Sequence, residues 1–124
     1  QRLRVSTRRD ITESVFATGI PYKGRGDHAV FLKELENVMA VAAGVRRFGS
    51  PALDLAYVAA GRYEGFWERG LHSWDIAAGI IIVREAGGFI SDFLGKDTSL
   101  ESGDVIAANS ELHLPLRQIL NSSN

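Results

Sequence analysis

The 124-residue chain contains no cysteine. That absence removes disulfides, thiolate metal ligands and a cysteine nucleophile together. Any metal bound here must be held by oxygen atoms or by one of three histidines. Long apolar runs are also lacking: none reaches the ~18–20 residues that a helix needs to span a bilayer, and the first residues do not read as a signal peptide. One-sided charge is missing too. Fourteen basic residues stand against fifteen acidic ones for a formal net charge of -1, whereas a nucleic-acid-binding face normally carries a strong basic excess. What remains is 45% apolar and 23% charged, an average composition for a globular domain. A cytoplasmic domain with neither membrane nor nucleic acid as its partner is expected.

Residues 1–6 alternate, Leu3 and Val5 against Arg2 and Arg4, in the pattern of an edge strand. With strand pattern already at position 2, the chain reads as cut at its start. A second strand is predicted over 11–18, ended by Gly19, Ile20 and Pro21. Between 27 and 43 the residues Val30, Leu32, Leu35, Val38, Met39 and Ala42 recur mostly at steps of three and four. Lys33, Glu34, Glu36 and Asn37 take the opposite face, which predicts an amphipathic helix with those apolar residues inward. A short strand is expected over 45–48. Ser50 and Pro51 then have the form of an N-cap and a proline at the first helical position, opening a helix to residue 60 that is apolar nearly all round except Asp54. Alternating aromatics predict a strand over 62–68, and Ser73 is expected to cap a helix over 74–85 that is apolar on every face. Strands over 89–92 and 104–108 flank a polar loop at 96–103, and a last helix starts at 110 or 111 and runs to 120. Strands alternating with helices predict an α/β layered domain.

The chemistry concentrates at 68–75. Asp75 lies in the first turn of an otherwise apolar helix, where an acid meets free N–H groups and the positive end of the helix dipole, worth roughly 0.3–1 kcal/mol. Taken alone, that is a structural feature. Its company raises the functional weight. Glu68 and His72 precede it on a short loop containing Gly65 and Gly70, at a strand end facing a helix N-terminus, the edge at which α/β sheets bind ligands. A carboxylate kept ionised there suits a hard divalent cation such as Mg²⁺. Gly49, Ser50 and Pro51 form a second candidate, since a glycine ahead of a capped helix exposes N–H groups able to hold an anion or hydroxyl. Spacing alone favours an ordinary strand-to-helix turn. Gly24-Arg25-Gly26 lacks the third glycine of a dinucleotide loop, and His28 and His113 read as surface histidines.

The run Trp74-Asp75-Ile76-Ala77-Ala78-Gly79-Ile80-Ile81-Ile82-Val83-Arg84-Glu85-Ala86-Gly87-Gly88 resembles the C-terminal signature of the inositol monophosphatase family, W-D-x-A-A-G-x-x-[IL]-[IV]-x-E-A-G-G. Residues 49–61 are similar to the family's G-[ST]-A-A-[LV]-[DN]-x-x-x-V-A-x-G segment, and residues 1–6 and 105–109 to two of its strands. The resemblance implies a layered α-β-α-β-α sandwich and a Mg²⁺-dependent, lithium-inhibited phosphomonoesterase, usually a homodimer. It implies that Asp75 is a metal ligand close to the substrate and that Glu68 accepts hydrogen bonds from inositol hydroxyls. Gly49, Ser50 and Pro51 would line the inositol ring, with Trp74 and the double glycine structural. The inositol-type pattern at Glu68 and at Gly49-Ser50 favours inositol 1-phosphate over sugar bisphosphates or nucleotide 3′-phosphates. Two departures matter. Pro51 stands where the family usually has an alanine whose N–H faces the substrate, and proline has no N–H. The family's G-E-E and D-P-[IL]-D-G-T segments, which supply its other metal ligands, do not occur. Residues 1–124 are therefore expected to be the C-terminal half of such an enzyme, without the N-terminal metal-binding half and inactive alone. A non-catalytic assembly or regulatory module that keeps the fold is the alternative.

Overall fold

The computed structural model describes residues 2–20 and 27–122. Five strands form one mixed sheet: β1 (Val15–Thr18), β2 (Gly44–Arg46), β3 (Gly65–Glu68), β4 (Phe89–Ser91) and β5 (Val105–Ala108). Their order across the sheet is β2-β1-β3-β5-β4. The first three run parallel, while β5 lies antiparallel to both β3 and β4. Helices α1 (His28–Met39), α2 (Pro51–Ala59), α3 (Ser73–Glu85), the one-turn α4 (Ser99–Ser102) and α5 (His113–Leu120) complete the domain.

Side chains on a strand alternate between faces, and the two central strands show it. Phe66, Val105 and Ala107 join Leu55, Val58, Ile76, Ile80 and Val83 in a core beneath α2 and α3. Trp67 and Ile106 join Phe16, Val38, Phe93, Leu116 and Leu120 in a second core beneath α1 and α5. Helices thus cover both faces, as the alternating pattern predicted. The α2–α3 contact is close, because a Cβ on Gly79 would stand 2.5 Å from Leu55 Cδ1.

Several elements differ from expectation. Residues 2–6 form no strand, and Val5 makes one backbone bond, N–H to the carbonyl of Ala86 at 3.1 Å. An extended segment without a ladder partner is not a strand. Residues 11–13 turn as a short 3-10 helix capped by Asp10, which accepts from the Thr12 N–H at 2.9 Å, so β1 begins only at Val15. The cap of α3 is His72 and not Ser73, and the polar loop contains α4. The orientation of α1 is the largest difference. Its buried residues are Phe31, Glu34 and Val38, while Val30, Leu32 and Met39 are exposed. The reason is an ion pair: Arg69 Nε donates to Glu34 Oε2 at 2.8 Å, which lets a carboxylate occupy the inner face.

Candidate functional site

β1 and β3 run parallel, so both end at the same sheet edge. The chain leaving β2 turns there into α2, and the chain leaving β3 turns into α3. Each helix therefore aims its N-terminus at that edge, where free N–H groups and the positive end of the dipole favour anions. A cavity of about 270 Å³ opens between them, lined by Gly19, Arg47, Gly49, Pro51, Glu68 and Asp75 among others.

Each wall has a local cause. Gly49 has φ +83°, a left-handed conformation that strains any other residue, and it swings the chain from β2 into α2. Ser50 caps that helix: its Oγ accepts from the Leu53 N–H at 3.3 Å. Pro51 takes the first helical position, where the missing N–H costs no helical bond. The cavity wall at this residue accordingly offers no donor. Glu68 ends β3, and its carboxylate lies across Gly19, at which a Cβ would fall 2.1 Å from Glu68 Oε1. Thr18 fixes the approach of the two strands by donating its hydroxyl to the Trp67 carbonyl at 2.8 Å. Asp75 is half-buried in the first turn of α3, and its Oδ2 accepts from the His72 N–H at 3.3 Å.

Of the residues singled out from sequence, Glu68, Gly49, Pro51 and Asp75 meet in this cavity. Ser50 lies between two of its lining residues with its hydroxyl engaged in the cap. His72 and Trp74 stand outside: their rings stack with centroids 4.2 Å apart, and Trp74 is 76% exposed. His113 is no ordinary surface histidine. It is half-buried, Nε2 lies 2.9 Å from Ser91 Oγ, and burial lowers its pKa. Gly24, Arg25 and Gly26 lie outside the described residues.

Sequence reasoning missed Gly19, read only as a strand terminator, and Arg47, which also lines the cavity. It also missed Asp54. This carboxylate is buried in α2, neither oxygen has a hydrogen-bond partner, and desolvation pushes its pKa up to about 6. Among the described residues, no three histidine, aspartate or glutamate side chains gather as a cation cage. No helix among them is long and apolar enough to cross a membrane.

Residues 1–123 match the sequence profile of the inositol monophosphatase family. An inositol-1-monophosphatase of Mesorhizobium japonicum is 55% identical over 116 residues, covering 94% of this chain and 44% of the relative. The Nus factor SuhB of Escherichia coli is 47% identical over 108 residues, 87% of this chain and 40% of its own length. Among solved structures, the extragenic suppressor protein suhB from Bartonella henselae superposes with a TM-score of 0.95 at 48% identity, covering 100% of this chain and 48% of its own. The chain thus spans less than half the length of these relatives.

Proposed function

Because the chain belongs to the inositol monophosphatase family, we propose that it forms the sugar-facing part of a phosphomonoesterase that hydrolyses myo-inositol 1-phosphate. Water adds to phosphorus, the phosphorus–oxygen bond to the inositol breaks, and the leaving oxygen takes up a proton. The observation that carries this reading is the convergence of Glu68, Gly49, Pro51 and Asp75 on one cavity between two helix N-termini. The helix ends attract the phosphate dianion. Glu68 accepts from ring hydroxyls, and the Gly49–Pro51 turn shapes the wall beside the ring.

Asp75 offers one hard-oxygen ligand of the kind Mg²⁺ takes. On this reading the remaining ligands come from the part of the family's length that residues 1–124 do not span, and these residues alone are inactive. Mg²⁺ dependence, inhibition by lithium, a homodimeric state and a cytoplasmic location complete the proposal. Relatives named Nus factor SuhB favour a second reading, a non-catalytic assembly or regulatory module on the same fold.

The test is release of phosphate from myo-inositol 1-phosphate with Mg²⁺. The 124-residue chain is expected to show no turnover, whereas the full-length protein turns over and loses at least ~100-fold in D75N, the scale of removing a group that acts directly on the transition state. Turnover by the short chain overturns the incomplete site. Near-normal turnover in D75N overturns the role of Asp75, and an inert full-length protein favours the second reading.

A further inference from the structure

β3 is the central strand, and Arg69 follows Glu68 at its end. Successive side chains point to opposite faces, so while Glu68 turns to the cavity, Arg69 turns toward the α1 layer. There it is held three ways. Its Nε donates to Glu34 Oε2 at 2.8 Å, and Glu34 is 3% exposed. Its guanidinium lies 3.7 Å from the ring centroid of Phe93, close enough for a strong cation–π contact. Its Nη1 is 4.0 Å from Asp104 Oδ2, while Asp104 Oδ1 accepts from the Gly70 N–H at 3.0 Å. Leu71 adds a backbone bond to the Gly103 carbonyl at 2.9 Å. A loop that a folded domain could leave loose is thus pinned from α1, from Phe93 and from the start of β5.

We infer that Arg69 is a positioning residue: clamped by Glu34, Phe93 and Asp104, it fixes the end of β3 so that the Glu68 carboxylate stays over Gly19 at the cavity. It touches no substrate. A buried glutamate on the inner face of a surface helix is costly, and the pair sets the place of β3's last residue in return. Lysine does not replace this group, because the clamp uses a planar fork that both donates and stacks. The inference rests on the reading of Glu68 as the acceptor for polyol hydroxyls.

The experiment uses the full-length protein and two substrates, myo-inositol 1-phosphate and p-nitrophenyl phosphate, which has no hydroxyls to present to Glu68. The readout is the ratio of their kcat/KM values. Glu68→Gln tests the underlying reading and is expected to lower the ratio ~10-fold, mostly through KM for the inositol ester. Arg69→Ala and Glu34→Gln are each expected to lower it ~3–10-fold, with Arg69→Lys restoring less than half of the loss. In the Glu68→Gln background, Arg69→Ala lowers it no further, because the two act as one unit. An unchanged ratio in Glu68→Gln overturns the reading of Glu68. A lowered ratio there, with both substrates affected equally in Arg69→Ala and Glu34→Gln, overturns the inference about Arg69. Thermal melts accompany each variant, and if Arg69→Ala unfolds at assay temperature, Glu34→Gln and Arg69→Lys decide by the same criteria.

Discussion

Asp54→Asn isolates a single buried charge. The Asp54 carboxylate is 1% exposed, has no hydrogen-bond partner on either oxygen, and is raised from 3.8 to about 6 by desolvation. A shift of one unit corresponds to about 1.4 kcal/mol, so ionising Asp54 in the folded chain costs about 3 kcal/mol. The folded chain keeps its proton where the unfolded chain has lost it. The slope of stability with pH is therefore negative between about pH 4 and pH 6, and the full cost applies above pH 6. Asparagine keeps the shape and abolishes the titration, although its amide still lacks partners. At pH 7.5 the Asp54→Asn chain is expected to be more stable by about 1–3 kcal/mol, which raises Tm by several degrees for a domain of this size. At pH 4 the two chains should melt together. Circular dichroism melts across pH 4–8 read both quantities. A variant less stable than the parent at pH 7.5, with a parent that gains stability from pH 4 to pH 6, would show that the charged form has a partner and would refute the reasoning.

Three further perturbations address other parts of the molecule. Gly19→Ala puts a methyl group where the flexible end of Glu68 now lies, so in the full-length protein it should raise KM for myo-inositol 1-phosphate ~5–10-fold with Tm nearly unchanged; steady-state kinetics and melts check both halves. Pro51→Ala restores an N–H at the cavity wall and loosens the unfolded chain, so KM for the same ester should fall severalfold while stability drops by ~0.4–1 kcal/mol. Asp92 is pushed up by burial, but the Thr98 hydroxyl (2.6 Å) and the Lys96 and Leu94 N–H groups (2.8 Å each) outweigh that and lower its pKa. Its contribution is present above about pH 4, the ordinary carboxylate value, and lost as pH falls further. Asp92→Ala should cost ~2–3 kcal/mol at pH 7 and little at pH 2.5 by urea titration.

The parts legible in the sequence are those governed by local physics. Ser50 and Pro51 announce a helix start through backbone chemistry alone, and they sit at the start of α2. Asp27 caps α1 in the same way, accepting from the Ala29 and Val30 N–H groups at 3.0 and 3.2 Å, although only the spacing of the apolar residues pointed to that helix. The division of Phe66 and Trp67 between the two cores needed only the alternation read over 62–68. What the sequence hides depends on partners far along the chain. Glu34 belongs on the polar face by periodicity, and its partner Arg69, 35 positions away, holds it inward. Residues 2–6 alternate like a strand, yet pairing is a property of two segments. Gly19 looks like punctuation until β1 and β3 are laid side by side and the Glu68 carboxylate is found where its side chain would be. The site was readable as a set of residue types, but its depth and fixity were not.

Asp75 shows why a structural and a chemical role must be separated by experiment. Its Oδ2 accepts from the His72 N–H, and its own N–H donates to the His72 carbonyl at 2.9 Å, so it helps close the first turn of α3. An acid there also meets the helix dipole, worth roughly 0.3–1 kcal/mol. Asparagine keeps an oxygen that can accept from the His72 N–H and loses only the charge, whereas alanine loses both. If Asp75 were only a structural residue, Asp75→Ala would lower stability by ~1–2 kcal/mol, Asp75→Asn by no more than the ~0.3–1 kcal/mol of the dipole term, and activity would stay close to normal in both. If it supplies a charged oxygen to the reaction, the two variants differ in stability but share the loss of activity. Melting curves and phosphate release, measured on the same two full-length variants, distinguish these patterns. A stable Asp75→Asn protein with undiminished turnover would leave the carboxylate as a brace of the first turn of α3 and nothing more.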